Sequence, residues 1–245
     1  MTAWATSPLV VGHRGGRGDG WPAENTLLAF QRARAEGAAA IELDVRTCAG
    51  EGVVVFHDAS LARMTRNRDR RRIENVAIAD LRRVDLGGAC APELADVLAW
   101  ARENSVAVNV EMKHDVPNRA NLARQTLRAV RRSGADVLLS SFDPVLLSMA
   151  AALAPSVPRA LLVHDGQGLA ADLLQEVARP PWVRALHVER MQADAVAVAR
   201  YVRRGLRVGA WTVDDPREAC DLVRLGVASI ITDSPGEVLA ALNRR

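Results

Sequence analysis

Short apolar runs rich in β-branched residues alternate along the chain with longer segments whose apolar residues recur at helical spacing. The runs predict strands at Leu9–His13, Ala40–Thr47, Val53–His57, Val106–Lys113, Val137–Phe142, Ala160–Val163, Ala185–Val188, Val208–Val213 and Ser229–Thr232. The longer segments predict helices at Asn25–Glu36, Glu93–Glu103, Arg119–Arg132, Pro144–Ala154, Leu169–Glu176, Ala193–Arg204 and Pro216–Leu225. Strands and helices that alternate over a whole chain indicate a parallel sheet covered by helices.

The strand candidates are one too many for an eight-stranded barrel. The connection Cys48–Gly52 is too short for a parallel crossover, which needs about a dozen residues, so the strands on either side of it are predicted to form an antiparallel hairpin. Eight parallel strands remain, and the 245 residues of the chain suit a (β/α)8 TIM barrel. We therefore expect an α/β fold: one TIM-barrel domain over residues 1–245, with a β-hairpin excursion and a small compact insertion, residues 58–92, after the second barrel strand.

The hairpin has a predicted register. A turn centred near Gly50 pairs residues whose numbers sum to about 100, because antiparallel partners lie symmetrically about the turn. His57 then lies opposite Leu43, level with Glu42 and Asp44. This is the rim at the C-terminal ends of the strands, where barrel enzymes place their chemistry.

Two acidic residues, Glu42 and Asp44, lie two positions apart on the second strand, so their side chains share one face. Glu111 and Lys113 share a face of the next parallel strand in the same way. Carboxylates inside a barrel repel each other unless a cation lies between them, and oxygen ligands suit a hard ion such as Mg²⁺ or Ca²⁺. We predict a divalent metal site formed by Glu42, Asp44 and Glu111; the alternative is that these side chains face the helices and join surface ion pairs.

Lys113 is the only lysine among the 32 basic residues of the chain. Its compact ammonium differs chemically from the planar guanidinium used everywhere else. The position indicates a need for a point charge beside the carboxylates, although chance in a lysine-poor composition explains the count equally well.

Two histidines lie at the predicted rim. His13 ends the first strand and precedes Arg14-Gly15-Gly16, a turn whose glycines let the backbone approach a ligand closely. His57 ends the hairpin strand. Because histidine titrates near neutral pH, the pair is predicted to serve as general acid and general base. An isolated histidine at a strand end is more often structural, but two that converge on carboxylates favour catalysis.

Other rim residues have supporting roles in this interpretation. Trp211 ends a later strand and offers a flat wall for a glycerol or alkyl group. Hydrogen bonds that hold the rim are expected from Asn25, Asp58 and Asp233. Weaker candidates for contact with substrate are His164 and His187.

Composition narrows the classes of partner and location. The net charge of +3 and the aromatic content of 4% offer little for nucleic-acid binding. The three cysteines are far apart, which predicts free thiols in a reducing compartment and a cytoplasmic location. We find no export signal at the N-terminus and no apolar run long enough for an integral membrane segment. The oligomeric state stays open, and a homo-oligomer is compatible with the sequence.

Eight segments of the chain occur in a recognisable order: VVGHRGG, ENTLLAF, GAAAIELDVRT, GVVVFHDASLARMT, VNVEMK, SSFDP, GAWTVDD and GVASIITDSP. Together they resemble the glycerophosphodiester phosphodiesterase family, from Val10 to Pro235. The resemblance implies a TIM-barrel enzyme that hydrolyses a small-molecule glycerophosphodiester to an alcohol and sn-glycerol 3-phosphate with the help of a divalent metal ion.

The resemblance also implies roles for individual residues. His13 and His57 match the catalytic histidines of the family. Its metal-binding carboxylates match Glu42, Asp44 and Glu111. Its phosphate-binding and substrate-binding positions match Arg14, Lys113 and Trp211.

The chain departs from the family pattern in two places. Ala23 separates Pro22 from Glu24 in the PENT signature, which leaves the role of Glu24 open. An arginine-rich run, residues 66–72, replaces the usual turn and is either a solvated loop or an electropositive lip. Substrate choice is therefore open, and the alternatives are a phospholipase D-like activity on lysophospholipids or sphingolipids and a non-catalytic phosphate-binding barrel. Two features of the mechanism stay open in the sequence: whether the nucleophile is water or the glycerol 2-hydroxyl, and which histidine is the acid and which the base.

Overall fold

The computed structural model describes residues 2–164 and 182–244. Strands and helices alternate along these residues, as the hydrophobic pattern predicts. Over those residues one sheet contains the strands β1 (Leu9–Gly12), β2 (Ala40–Thr47), β3 (Val53–Val55), β4 (Ala107–Met112), β5 (Val137–Ser141), β6 (Arg159–Val163), β7 (Ala185–Glu189), β8 (Arg207–Trp211) and β9 (Ser229–Thr232). The α-helices of the same residues are Leu27–Ala35, Ile78–Leu81, Leu94–Glu103, Arg119–Ser133, Pro144–Leu153, Ala195–Arg203, Pro216–Arg224 and Pro235–Leu242.

The sheet closes on itself. In spatial order the strands run β1-β9-β8-β7-β6-β5-β4-β2, and β1 also pairs in parallel with β2. All pairings around this ring are parallel, whereas β3 pairs antiparallel with the outer part of β2. The predicted (β/α)8 TIM barrel with a hairpin excursion is therefore confirmed.

The hairpin has the predicted register. Val45 pairs with Val55 and Thr47 with Val53, so the residue numbers of each pair sum to 100. The strand itself is shorter than predicted and ends at Val55, but the Phe56 N–H still donates to the Asp44 carbonyl at 2.9 Å. The hairpin thereby carries His57 to the level of the barrel rim.

Within residues 2–164 and 182–244, three apolar clusters stabilise this arrangement. The largest lies between the sheet and the surrounding helices. A second fills the lower barrel with small side chains such as Ala40 and Ala107 and includes the buried Trp4. The third lies under residues 58–92, where Leu61 and Ile73 pack with Phe56 from the hairpin. The insertion is thus anchored to the same hairpin that positions His57.

The element ends differ from the prediction by a few residues. The first helix begins at Leu27 rather than Asn25 because Thr26 is its N-cap and accepts the Ala29 N–H. The helix Pro235–Leu242 is not predicted from the sequence. The predicted helix Leu169–Glu176 lies outside the described residues. Among the helices of the described residues, none combines the length and apolar character needed to cross a membrane.

Candidate active site

The three predicted carboxylates meet at the C-terminal end of the barrel. β2 and β4 pair so that Asp44 lies beside Glu111, while Glu42 is one pleat lower on the same inward face. One oxygen atom from each of the three lies within 4.8 Å of the others, and all three residues are buried. The alternative, in which these side chains join surface ion pairs, is excluded by this burial.

Lys113, the residue directly after β4, brings a positive charge to this cluster. Its Nζ lies 2.7 Å from Glu111 Oε1 and 3.2 Å from Asp44 Oδ1. The ammonium is itself buried, and although burial lowers its pKa, the charges of Asp44 and Glu111 outweigh burial and raise that pKa. The only lysine of the chain is therefore a charged partner of two carboxylates.

The turn after β1 brings a second positive group and a backbone donor to the cluster. Gly15 has a φ of +91°, and a Cβ there would lie 2.8 Å from the backbone of Ala29, so glycine is required. The Arg14 N–H donates to Glu42 Oε2 at 3.0 Å. The Arg14 Nε lies 3.1 Å from Asp44 Oδ2. Asn25 completes the surroundings of Asp44 by donating its amide N–H at 2.8 Å.

The carboxyl groups differ in their electrostatic surroundings. Burial raises the pKa of the Asp44 carboxyl, but the charges of Lys113 and Arg14 outweigh burial and hold that pKa well below its usual range. Burial also raises the pKa of the Glu42 carboxyl, and the charges of Asp44 and Glu111 raise it further, well above its usual range. A divalent cation would relieve this repulsion, and buried carboxylate oxygens are ligands that Mg²⁺ and Ca²⁺ prefer. The residues present therefore fit such an ion.

Each of the two predicted histidines is bonded to an aspartate through Nδ1. His13 Nδ1 lies 2.7 Å from Asp233 Oδ1, and His57 Nδ1 lies 2.6 Å from Asp58 Oδ1. An ionised carboxylate only accepts hydrogen bonds, so each Nδ1 carries the proton and each Nε2 is available to a ligand. His13 Nε2 is 4.0 Å from Glu42 Oε2. The hydrogen bonds expected from Asp58, Asp233 and Asn25 are all present.

A cavity of about 360 Å³ joins these groups. Its charged or titratable lining residues are His13, Arg14, Arg17, Glu42, His57, Glu111 and Lys113, and its apolar lining residues are Phe142, Leu162, Trp211 and Ile231. The rings of Phe142 and Trp211 pack edge to face, with centroids 5.6 Å apart. The volume falls within the range of about 300–1,000 Å³ typical of small-molecule sites.

The positions of Phe142 and His187 change the sequence interpretation of this site. Phe142 directly follows β5 and lines the cavity, although only its place at a strand end indicated such a role. His187 lies in the middle of β7 and lines a separate small cavity at the opposite end of the barrel. Burial lowers the pKa of His187 to about 4, so its imidazole is neutral at physiological pH. His164 packs against Phe142, with ring centroids 5.4 Å apart.

The fold and the mouth of the barrel define a class of protein: a (β/α)8-barrel enzyme whose site combines carboxylates, histidines and cationic side chains. Residues 13–237 match the Glycerophosphoryl diester phosphodiesterase family. The chain belongs to that family, and it is an enzyme that hydrolyses glycerophosphodiesters.

Individual relatives align with nearly the whole chain. It is 30% identical to the uncharacterized protein YqiK of Bacillus subtilis over 95% of this chain and 98% of that protein. It is 28% identical to a glycerophosphodiester phosphodiesterase of Caldanaerobacter subterraneus over 97% of this chain and 98% of that enzyme.

Solved structures share the fold. A phosphodiesterase of Oleispira antarctica in complex with the product sn-glycerol-3-phosphate superimposes with a TM-score of 0.86, covering 99% of this chain and 100% of that one at 23% identity. A glycerophosphodiester phosphodiesterase of Thermotoga maritima gives a TM-score of 0.75 at 25% identity and covers 96% of this chain and 97% of that one.

Proposed function

We propose that this enzyme hydrolyses glycerophosphodiesters to an alcohol and sn-glycerol 3-phosphate in a metal-dependent reaction with His13 and His57 as acid and base. The observation that carries the proposal is that a cluster of three buried carboxylates lies at a cavity lined by two histidines and three cationic side chains. The product bound to the Oleispira antarctica phosphodiesterase supports the same product class here. We further propose that the barrel and residues 58–92 form one domain.

Glu42, Asp44 and Glu111 would hold the divalent ion, either Mg²⁺ or Ca²⁺. When bound, such an ion supplies positive charge to a non-bridging oxygen of the substrate phosphate. Arg14 and Lys113 line the same cavity and add positive charge as the negative charge on the phosphate grows. These groups are held in place before the substrate arrives, so little reorganisation accompanies the reaction.

The two histidines move protons at Nε2, because each Nδ1 is bonded to an aspartate. One imidazole, neutral and unprotonated at Nε2, accepts the proton of the nucleophile. The other enters the reaction as an imidazolium and donates its Nε2 proton to the departing alcohol oxygen. Two nucleophiles are compatible with this arrangement, water and the glycerol 2-hydroxyl of the substrate. Attack by the 2-hydroxyl gives a cyclic phosphate first, so following the reaction by ³¹P NMR distinguishes the two routes.

The apolar residues of the cavity are proposed to position the carbon skeleton of the substrate. Phe142 and Trp211 pack against each other in a lining that also holds charged residues, which suits a molecule with both a phosphate and carbon atoms. The Trp211 Nε1–H donates to the His187 carbonyl at 3.0 Å, which fixes the indole ring. Trp211 is therefore proposed as a rigid wall of the substrate site.

The proposal is tested by incubating purified protein with Mg²⁺ or Ca²⁺ and a panel of glycerophosphocholine, glycerophosphoethanolamine, lysophosphatidylcholine and a lysosphingolipid. We expect sn-glycerol 3-phosphate and the free alcohol from the glycerophosphodiesters. Faster turnover of the lysolipids would instead support the phospholipase D-like alternative. Binding without turnover of any substrate would support the non-catalytic barrel.

A further inference from the structure

Both His–Asp pairs of the site are bonded to an arginine. Arg17 donates to both oxygens of Asp233, from Nη2 at 2.7 Å and from Nε at 3.0 Å. Arg63 donates to Asp58 in the same way, from Nε at 2.6 Å and from Nη2 at 3.0 Å. A guanidinium that binds a carboxylate at two points fixes its direction as well as its charge. Each arginine therefore fixes the direction of its aspartate, and Arg17 also lies close to the histidine, with its Nη2 3.5 Å from His13 Nδ1.

The two arginines meet at one buried carboxylate, Glu24. Arg63 Nη2 donates to Glu24 Oε1 at 2.7 Å, and Arg17 Nη1 lies 3.6 Å from Glu24 Oε2. Arg14 Nη1 also donates to Oε1, at 2.9 Å. Although burial raises the pKa of the Glu24 carboxyl, the Arg63 hydrogen bond and the charge of Arg14 outweigh burial and lower that pKa, so the group is ionised.

These contacts form a continuous chain in which charged groups join one histidine to the other: His13, Asp233, Arg17, Glu24, Arg63, Asp58 and His57. The chain joins three segments that are distant in sequence, namely the turn after β1, the segment after β3 and the residue after β9. The buried carboxylate with its arginine partners carries a desolvation cost that apolar packing would avoid. Fold stability alone therefore gives no reason for it.

We propose that Glu24 is a positioning residue that, through Arg17 and Arg63, holds both catalytic histidines in one coupled arrangement. The inference rests on the proposed function, because it assigns the network to the two histidines of that reaction. It predicts that a change at one end alters the histidine at the other end. A competing role for Arg17, which lines the cavity and is 37% exposed, is direct contact with the substrate phosphate.

A double-mutant cycle with Arg17→Gln and Arg63→Gln tests the coupling in the full chain. By analogy with partners that orient metal ligands, each single change should lower kcat on glycerophosphocholine about 10–100-fold. KM should change by less than about threefold, because neither link contacts the substrate in this proposal. The kcat of the double variant should be within about threefold of that of the less active single variant, because breaking either link already uncouples the two histidines. Glu24→Gln should lower kcat by at least as much as the double variant, because it also removes the negative charge that Arg14 contacts.

If the reductions in kcat of the two single variants multiply in the double variant, the two His–Asp–Arg units act independently and the coupling is overturned. A rise in KM at constant kcat for Arg17→Gln would assign that arginine to phosphate binding and would likewise overturn it. The matched control is Arg71→Gln, which removes an arginine that pairs with Asp69 on the protein surface. Should Glu24→Gln fail to fold, the two arginine variants decide alone.

A readout independent of turnover separates this inference from the proposed function. In protein labelled with ¹⁵N-histidine, Arg63→Gln should shift the imidazole signals of His13 as well as those of His57. Arg71→Gln should shift neither. If Arg63→Gln shifts only the His57 signals, the coupling is refuted even when the wild-type enzyme is fully active. If Arg63→Gln shifts the signals of both histidines but the wild-type enzyme is inactive, the proposed function alone is refuted.

Discussion

The Lys113 ammonium lies 2.7 Å from the carboxylate of Glu111, the residue two positions before it in the chain. The same ammonium reaches Asp44 on the neighbouring strand at 3.2 Å. Removing one partner of a buried ion pair leaves an uncompensated charge, at a cost of about 3–5 kcal/mol. Lys113 therefore has a structural role beside the role proposed in phosphate binding.

Lys113→Met should lower the free energy of unfolding by about 3 kcal/mol in metal-free buffer. Added Mg²⁺ or Ca²⁺ should restore part of this loss, because the ion supplies positive charge to the same carboxylates. Thermal unfolding with and without the divalent ion measures both effects. Equal destabilisation in the two buffers would contradict a cation site at Glu42, Asp44 and Glu111.

His13→Ala and His57→Ala should each lower kcat about 10²–10⁴-fold, the usual contribution of a general acid or base. The fold should persist, since both side chains line a cavity rather than fill the apolar core. Steady-state kinetics with circular dichroism checks both statements. Near-normal turnover in either variant would remove that histidine from the proposed mechanism.

Asp233 should make the stability of the protein depend on acidity. Burial raises the pKa of its carboxyl, but hydrogen bonds from His13 and Arg17 outweigh burial and lower that pKa from 3.8 to about 2. Because the folded-state pKa is the lower one, the stabilisation is complete above the unfolded-state value and is lost as pH falls toward 2. The free energy of unfolding of the wild type should exceed that of Asp233→Asn by roughly 2 kcal/mol at pH 6. About 1 kcal/mol of this difference should be lost by pH 3.

Urea unfolding of both proteins at the two pH values measures the gap. The other carboxylates titrate in both proteins and largely cancel from the difference. A gap that is constant between pH 6 and pH 3 would show that the ion pairs of Asp233 contribute nothing to stability.

Trp211→Ala should act on substrate binding more than on chemistry. The indole ring lines the cavity, and its Nε1–H donates to a backbone carbonyl rather than to a catalytic group, so its loss removes contact area while the acid, base and cationic groups stay in place. We expect a KM that rises about tenfold with a smaller change in kcat. A fall in kcat at constant KM would assign Trp211 to the chemical step instead.

The sequence predicts the barrel and the core of the site because both depend on local rules. The alternation of side chains along a strand places Glu42 with Asp44, and the short connection at Gly50 sets the hairpin register that brings His57 to the rim. Lys113 follows from the same alternation. These rules need no knowledge of residues distant in the chain.

The remaining features depend on contacts across the chain. The bond of His13 to Asp233 joins residues 220 positions apart, and no local pattern specifies which aspartate will meet which histidine. The meeting of Arg17 and Arg63 at Glu24 depends on the path of two loops, which have no periodic pattern. The ring of Phe142 packs against Trp211, which lies 69 positions later in the chain. Such relationships appear once the strands are assembled.

The central claim is that Glu42, Asp44 and Glu111 hold a divalent ion that the reaction needs. It is tested most directly by removing metal with a chelator and then measuring glycerophosphocholine turnover before and after Mg²⁺ or Ca²⁺ is returned, with Glu111→Gln measured in parallel. We expect no turnover in the metal-free protein, recovery in the wild type, and recovery in Glu111→Gln only at higher metal concentration, if at all. Full turnover by the metal-free wild type would contradict the claim.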